Sequence, residues 1–246
     1  MDEQAILEGF ISVRAALKAG SRPIQAIYLR HDKRDRGIAW LERAAAAAGI
    51  PVRRAGADEI DARAGGGTHG GVVALVGPRR FVALDDLGAD SPAPFVAMID
   101  GVEDPFNFGQ AVRALYAAGC DGLVLRPRNW LSAAGVVARA SAGASEWLPT
   151  AIAETVTAAA EHFRARGLRV AVAAEEDAVP LYDADLSGPL FLVIGGEKRG
   201  ITRSFRDGAD LRLAIPYGSA FDQSLGTAAA TAVIAFEVLR QRREHR

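Results

Sequence analysis

The sequence predicts an α/β protein, with a parallel sheet and flanking helices in its C-terminal part and a smaller α/β module before it. From residue 95 onward, short and almost wholly apolar runs alternate with amphipathic helical patterns, which is typical of strands buried on both faces of a parallel sheet. Before them, Leu87–Pro94 contains Gly, Ser and two prolines, the composition of a linker. We therefore expect domains at residues 1–80 and 95–246, joined by a linker at 81–94.

The first domain is predicted to alternate helices and strands. Apolar residues recur at helical spacing from Ile6 to Leu17, and Gly20 then ends the predicted helix. Further helices are predicted at Trp40–Ala48 and Ala57–Ala64, and strands at Ile24–Leu29, Pro51-Val52 and Val72–Val76.

The second domain shows the more regular alternation, and its strands are the more apolar. The predicted strands are Phe95–Ile99, Leu123–Leu125, Leu168–Ala173, Leu190–Ile194 and Leu211–Ile215, and the predicted helices are Phe108–Ala118, Ala151–Arg166 and Thr227–Arg243.

Composition narrows the class of protein. With 246 residues, 50% of them hydrophobic, and 29 basic against 30 acidic side chains, the chain is neither disordered nor collagen-like. Its apolar runs are shorter than the roughly 20 residues that span a bilayer. The acidic start Met1-Asp2-Glu3 differs from a signal peptide, so we expect a cytoplasmic protein. The single cysteine, Cys120, excludes an intrachain disulfide and a cysteine-based zinc cluster.

Charge is unevenly distributed along the chain. Residues 1–80 contain 13 basic and 9 acidic side chains, a net charge of +4, whereas the remainder is acidic. A basic N-terminal part favours an anionic partner such as nucleic acid, although a solvated surface loop would give the same count.

Common ligand-binding motifs of α/β proteins are absent from the sequence. It has no GxGxxG after the first strand of the second domain, no P-loop and no GxSxG elbow, and none of its four histidines has a metal-type partner at short spacing. Three glycine-containing segments instead follow predicted strands, at residues 100–113, 193–201 and 215–230. Open α/β sheets bind ligands at the C-terminal ends of their strands, so these segments are the candidate site.

The first segment enters a helix. Pro105 and Gly109 interrupt the loop, and Asn107 is suited to cap the helix. Arg113 follows about two turns later among Val112 and Leu115, where a charged side chain is costly unless it faces a cleft or an acid. We expect it to face a cleft; the alternative is a surface arginine on an amphipathic helix.

The other two segments also follow strands. Gly195 and Gly196 would let a ligand or another backbone approach closely, and Glu197 would lie at the opening of such a ligand site. The alternative is a simple strand-to-helix turn, which would use the same residues. Pro216 ends the last strand, before a polar loop and a helix of small residues that starts near Thr227. The small residues of that helix would permit close backbone packing against a neighbouring helix or loop. The alternative is an ordinary alanine-rich helix.

Taken in order, the three segments resemble the signature motifs of the SpoU/TrmH family of RNA ribose 2′-O-methyltransferases, in the SPOUT superfamily. The family's first motif, Asp-x-x-x-Asp-Pro-x-Asn-x-Gly-x-x-x-Arg, is matched throughout by Asp100, Asp104, Pro105, Asn107, Gly109 and Arg113. Gly195, Glu197 and Gly200 match the second motif, and Ile215, Pro216, Ser224 and Leu225 match the third. Ser141–Glu146 resembles the segment between the first two. Leu7–Gly9 and His69–Ala74 resemble the L30e-like substrate-binding domain of the rRNA guanosine branch.

This resemblance implies a fold, a cofactor and partners. The family's parallel sheet is closed by a C-terminal trefoil knot, a rare exception to unknotted topology. S-adenosylmethionine would bind there, and the family works as a homodimer on RNA, without a metal. The positions that match cofactor-binding residues are Gly195, Gly196, Ile215, Pro216, Ser224 and Leu225.

The resemblance also implies catalytic roles. A guanidinium is almost never neutral, so we expect Arg113 to hold a phosphate and stabilise the developing 2′-alkoxide. Asn107 and Glu197 would orient Arg113 and the ribose, and Ser224 would add a hydroxyl near the site.

The third motif departs from the family pattern. Tyr217 stands where the family has Met, the loop before Ser224 is one residue longer, and Gly226 replaces an Asn. We expect an RNA ribose methyltransferase that acts on ribosomal RNA. The alternatives are the same activity on tRNA, an RNA-binding relative that has lost turnover, and an α/β enzyme of small molecules, for which the sequence supplies no pocket base.

Overall fold

The computed structural model describes residues 4–65, 67–128, 132–175, 177–196 and 201–244, and the chain divides into two compact units. The first unit comprises Met1–Arg80 and Asn129–Trp147, and the second comprises Phe81–Arg128 and Leu148–Arg246. The segment Asn129–Trp147, which sequence analysis assigns to the second domain, thus groups with the first unit. The chain crosses between the units three times.

The elements of both units are numbered in chain order. The strands are β1 (Ala5–Glu8), β2 (Ile24–Arg30), β3 (Val52–Ala55), β4 (Val72–Val76), β5 (Phe95–Asp100), β6 (Gly122–Leu125), β7 (Thr150–Ile152), β8 (Arg169–Ala173), β9 (Val179–Pro180), β10 (Leu190–Gly195) and β11 (Leu211–Ala214). The helices are α1 (Phe10–Ala19), α2 (Arg36–Ala47), α3 (Ala57–Arg63), α4 (Pro105–Ala117), α5 (Ala134–Ala140), α6 (Ala144–Trp147), α7 (Val156–Ala165), α8 (Arg203–Asp207) and α9 (Thr227–Glu244). In the part of the chain that the structure describes, none of these helices is long and apolar enough to cross a bilayer.

The first unit is built on a sheet with the strand order β1-β4-β2-β3. Strand β4 runs antiparallel to both β1 and β2, and β3 runs parallel to β2. Val13 of α1, Leu41 of α2 and Ala138 of α5 pack in one buried cluster, while Ile60 of α3 packs with Tyr28 in another.

The predicted helix from Ile6 is wrong in its first residues, because Ala5–Glu8 forms β1. Ile6 and Phe10 fit helical spacing, but Ala5 and Leu7 are buried on one face of the sheet, the two-residue period of a strand. Gly9 then adopts a φ of +84°, which ends the strand before α1 begins.

The second unit contains an all-parallel sheet with the strand order β7-β6-β5-β10-β8-β11-β9. The central strands β5 and β10 are buried almost throughout, which confirms the prediction from their apolar runs. Phe191 and Val193 pack in a cluster with Phe163 of α7. Leu192 and Ile194 alternate to the opposite face, which α9 covers while it also packs against α4.

The predicted helix at Ala151–Arg166 is also wrong at its start. Thr150–Ile152 pairs with β6 as the edge strand β7, and α7 begins at Val156 after Thr155, whose hydroxyl accepts a hydrogen bond from the Ala158 amide. An alanine-rich run carries helix propensity, but here the free edge of β6 determines the conformation.

A buried ionic cluster joins α6 to the start of β2 within the first unit. Arg22 donates two hydrogen bonds of 2.9 Å to the two carboxylate oxygens of Glu146, Ser21 donates a third, and the Arg79 guanidinium lies 3.8 Å away. Burial alone would raise the pKa of Glu146, but Arg22, Arg79 and Ser21 outweigh it and hold this pKa below the ordinary value. The carboxylate is therefore charged in the folded protein.

The Glu146 carboxylate should contribute stability above its unfolded pKa of about 4.5 and lose that contribution as the pH falls through its lower folded value. We expect the free energies of unfolding of the wild type and Glu146→Gln, measured in urea, to differ most at pH 7 and to converge below pH 4.5. A difference that stays constant down to pH 3 would show that the charge of Glu146 does not stabilise the fold.

Candidate active site

The C-terminal ends of β5 and β10 lie side by side and position the first two glycine-containing segments. Gly195 is in register with Asp100, and the amide of Gly196 donates a 2.6 Å hydrogen bond to the carbonyl of Asp100. A Cβ atom on Gly196 would lie only 2.1 Å from the carbonyl oxygen of Gly101. Of the two possibilities left by the sequence, the group that approaches Gly196 is therefore another backbone.

The first segment enters α4 through Asp104, so the prediction of Asn107 as the helix cap is wrong. The Asp104 carboxylate accepts a 2.9 Å hydrogen bond from the amide of Phe106, and Pro105 is the first helical residue. Proline favours this first position, so the capping role goes to the residue before it. Asn107 lies in the first turn and is half-buried.

Arg113 lies on the solvent-exposed side of α4. The buried face of this helix is formed by Phe108, Gly109, Ala111, Val112 and Leu115. The side chain of Arg113 is exposed and makes no hydrogen bond or ion pair with any residue that the structure describes. Arg113 is therefore not buried among the apolar side chains of α4, and its guanidinium is available to an incoming anion. That it faces the substrate cleft stays a prediction.

The third segment returns to the end of β10. The hydroxyl of Thr227 donates a 3.3 Å hydrogen bond to the carbonyl of Gly195, and the carbonyl of Gly226 accepts from the Ala230 amide, so Gly226 caps α9. Ser224 lies in the exposed loop immediately before these residues. The structure thus brings together parts of all three segments. Glu197 and Gly200 lie outside the described residues.

Tyr217, one of the departures from the family pattern, stabilises the loop that contains Ser224. Its hydroxyl accepts a 3.0 Å hydrogen bond from the amide of Leu225, and its ring lies 6.0 Å from that of Phe221. Gln223, in the same loop, donates a 3.0 Å hydrogen bond to the carboxylate of its neighbour Asp222. Tyr217 and Thr227 are therefore the side chains that fix the loop leading from β11 to α9.

Two arginines at this end of the sheet were missed by sequence analysis. Arg126 binds the Asp100 carboxylate through contacts of 2.6 and 3.0 Å, and Arg128 donates a 3.3 Å hydrogen bond to the carbonyl of Val102. Both directly follow β6, so their position after a predicted strand was the signal that could have identified them. These bonds attach the residues after β6 to the first motif.

The residues of this region suit a nucleoside ligand such as S-adenosylmethionine. Ile215 is half-buried after β11, and Pro216 begins an exposed loop whose backbone groups can bond to a ligand. Phe221 and Leu225 are exposed on that loop and can cover a planar base. Among the described residues, no group of three or more His, Cys, Asp or Glu side chains could hold a metal ion.

Replacing Tyr217 with phenylalanine removes the acceptor of the Leu225 amide. We expect the affinity for S-adenosylmethionine, measured by calorimetry, to fall about 2- to 13-fold, the effect of one hydrogen bond worth about 0.5–1.5 kcal/mol. Tyr182→Phe, at another exposed tyrosine of the second unit, is the matched control and should not change the affinity. Equal affinity in Tyr217→Phe and the wild type would mean that the hydroxyl does not fix the loop from β11 to α9, the cofactor loop.

Two protein families match the chain in sequence. The SpoU rRNA Methylase family matches residues 94–236, and the family described as RNA 2′-O ribose methyltransferase substrate binding matches residues 6–82. The two regions follow the order of the two predicted domains and together account for most of the chain.

Curated relatives match over nearly their full length. The 23S rRNA (guanosine-2′-O-)-methyltransferase RlmB of Shewanella oneidensis is 32% identical over 246 residues, 99% of this chain and 100% of the relative. The protein of the same name from Ralstonia nicotianae is 33% identical, over 98% of each chain.

Solved structures share the fold. The AdoMet-bound rRNA methyltransferase of Sinorhizobium meliloti is 25% identical with a TM-score of 0.80, covering 97% of this chain and 87% of the other. The SpoU methyltransferase AviRb of Streptomyces viridochromogenes, in complex with AdoMet, superimposes with a TM-score of 0.79 at 22% identity, over 98% of this chain and 92% of AviRb.

Proposed function

The chain belongs to the SpoU rRNA methylase family, and we propose from this that its substrate is a guanosine of 23S ribosomal RNA. It is an S-adenosylmethionine-dependent enzyme that methylates a ribose 2′-hydroxyl of ribosomal RNA. The observation that carries the choice of nucleotide is the match along the whole length of relatives named as 23S rRNA guanosine methyltransferases. We place this activity in the cytoplasm, where ribosomal RNA is modified.

The end of the parallel sheet is the proposed site of the reaction. S-adenosylmethionine, when bound, supplies the electrophilic methyl group. Gly195, Gly196, Ile215, Pro216, Ser224 and Leu225 would hold it, mostly through backbone groups. The bonds Tyr217–Leu225 and Thr227–Gly195 support this assignment, because they fix the loop and its approach to β10 before a ligand arrives. The trefoil knot of the family stays a prediction for this chain.

Arg113 is the proposed catalytic residue. In the transfer, the new O–CH3 bond would replace the S–CH3 bond of the cofactor, and the hydroxyl proton would pass to solvent water. The 2′-oxygen gains negative charge as it loses this proton, and a charged guanidinium at Arg113 would stabilise that charge and an adjacent phosphate. Its exposure supports this role, since it needs no rearrangement to meet RNA. Asn107 would orient Arg113 or the ribose from the first turn of the same helix, and Ser224 would add a hydroxyl from the loop before α9. Glu197 keeps the role expected from the resemblance.

A second copy of the chain is the proposed protein partner. The helices α4 and α9 pack against each other, and Phe106 and Tyr116 on α4 and Phe236 on α9 are large exposed aromatic side chains. Such residues are common at protein interfaces. Covering them with the same helices of another copy would give the homodimer implied by the resemblance, which sedimentation would detect.

A catalytically weakened relative is the second candidate function, because Gly226 lacks the polar side chain of the family's Asn. At the cap of α9, glycine is less stabilising than asparagine by only a few tenths of a kcal/mol. Thr227 and Tyr217 supply polar contacts beside it. If they compensate, Gly226→Asn is neutral or harmful in single-turnover methyl transfer. A gain of about 2- to 13-fold, the value of one hydrogen bond, would favour the weakened relative.

The test of the proposed function is methyl transfer to defined RNA. The full-length protein, labelled S-adenosylmethionine and 23S rRNA from a strain that lacks the gene should give a labelled ribose at one guanosine. Labelling of transfer RNA alone, of a base, or of another nucleotide would contradict it. Calorimetry with S-adenosylmethionine separates loss of cofactor binding from loss of turnover.

A further inference from the structure

The first unit contains a cavity of about 590 Å³ at the ends of β2, α3 and the glycine-rich turn before β4. Arg30, Asp61 and His69 line it together with backbone of this turn, including Gly65 and Gly71. Its volume lies in the range of pockets that bind small ligands or single nucleotides. All of its lining residues belong to the first unit, and none of them is among the residues proposed for the reaction site.

Hydrogen bonds fix the walls of this cavity. The Gly71 amide donates to Nδ1 of His69 over 3.1 Å, so the ring proton lies on Nε2, which donates over 2.9 Å to one carboxylate oxygen of Asp61. The Gly65 amide donates over 2.7 Å to the buried Glu8. Because these bonds do not involve a ligand, the cavity is formed before one enters.

The cavity offers a hydrogen-bond acceptor and a hydrogen-bond donor to a ligand. The second carboxylate oxygen of Asp61 is not used by His69, and the Asp61 side chain is 63% exposed. The Arg30 guanidinium gives two of its five N–H groups to Asp32, over 2.6 and 2.9 Å, and keeps the others. Arg30 and Asp61 both line the cavity, so the donor and the acceptor can meet the same ligand.

Guanine matches this pair better than the other bases of RNA. It carries two adjacent donors, N1–H and the N2 amine, next to the acceptors O6 and N7, and arginine is the usual partner of O6 and N7. Adenine, cytosine and uracil do not offer two adjacent donors to a carboxylate. Proteins that read RNA by sequence mostly bind such edges on unpaired bases.

We propose that this cavity binds an unpaired guanine of the RNA substrate, with the Asp61 carboxylate accepting from its N1–H and N2 amine and Arg30 donating to O6 or N7. The proposal rests on the proposed function, because that function supplies an RNA to the first unit. His69 is then a positioning residue, since it holds Asp61 and the turn rather than the base.

The test is the affinity of the full chain for short single-stranded RNA, measured by fluorescence anisotropy. The probes are an oligouridine with one central guanosine, the same oligomer with inosine there, and uridine alone. We expect the guanosine probe to bind about 5- to 150-fold more tightly than uridine alone, the range for one well-formed two-point contact to a base. Inosine lacks the N2 amine and should keep only part of this preference.

Asp61→Asn keeps an oxygen for His69 but replaces the free carboxylate oxygen by an amine, so it should abolish the preference for guanosine and leave uridine binding unchanged. Asp58→Asn, the same change on the same exposed helix but outside the cavity, is the matched control and should keep the preference.

Four results would each overturn the proposal. The wild type could bind guanosine and uridine probes equally, or guanosine and inosine probes equally. The preference for guanosine could also survive in Asp61→Asn, or be lost in Asp58→Asn. Methyl transfer to 23S rRNA is measured with the same preparations. If the protein methylates 23S rRNA but shows no preference for guanosine, the proposal for the cavity is wrong and the proposed function stands. If it prefers guanosine but does not methylate 23S rRNA, the proposed function is wrong.

Discussion

Replacing Arg113 with alanine is expected to lower methyl transfer at saturating cofactor and RNA by at least about 100-fold, the usual effect of losing one preorganised charge-stabilising group. The folded state should tolerate the change, because this exposed side chain bonds to no described residue. The Tm should therefore stay within a few degrees, since surface changes cost within about 0.5 kcal/mol. Single-turnover transfer and thermal unfolding on the same samples check both expectations.

Two further variants make this result specific. Arg113→Lys should restore little activity, because an ammonium group cannot make the planar two-point contact of a guanidinium. Arg203→Ala, at another highly exposed arginine of the second unit, should retain activity within a few-fold. Transfer at the wild-type rate in Arg113→Ala would remove Arg113 from the mechanism.

Replacing Gly196 with alanine is expected to destabilise the second unit by about 3 kcal/mol or more, because overpacking against a backbone cannot be relieved by a side-chain rotation. The added Cβ would lie 2.1 Å from the Gly101 carbonyl oxygen and 2.3 Å from its carbon. The β5 and β10 ends must separate to admit it. We expect the Tm to fall by about 6–12 °C and cofactor affinity to fall with it.

Gly218→Ala is the control for this change, since a Cβ atom there has no neighbour within 4 Å and the residue lies in the cofactor loop. It should unfold at the wild-type temperature. An unchanged Tm in Gly196→Ala would mean that the two strand ends are not held together as described.

Sequence patterns predict the centre of the fold better than its edges. The strands β5 and β10 are buried on both faces, so burial alone makes them continuous apolar runs that can be read directly. The edge strands β1 and β7 form because they pair with β4 and β6, and this pairing cannot be predicted from their own sequence patterns. Their residues also fit helical spacing or helix propensity, and tertiary pairing overrides both.

The candidate site was predictable as an order of motifs and less so as a set of contacts. Spacing placed the three segments at strand ends, where the structure has them. It could not show that Arg113 is exposed, since that depends on which face of α4 meets α9. The bond between Tyr217 and Leu225 joins residues eight positions apart in an irregular loop, where no period applies.

The central claim is most directly tested by mapping ribose methylation along 23S rRNA from the source organism with and without this gene. The account predicts that one guanosine loses its 2′-O-methyl group on deletion. That group should return with the wild-type gene but not with Arg113→Ala. An unchanged ribose-methylation map in the deletion strain would contradict the account.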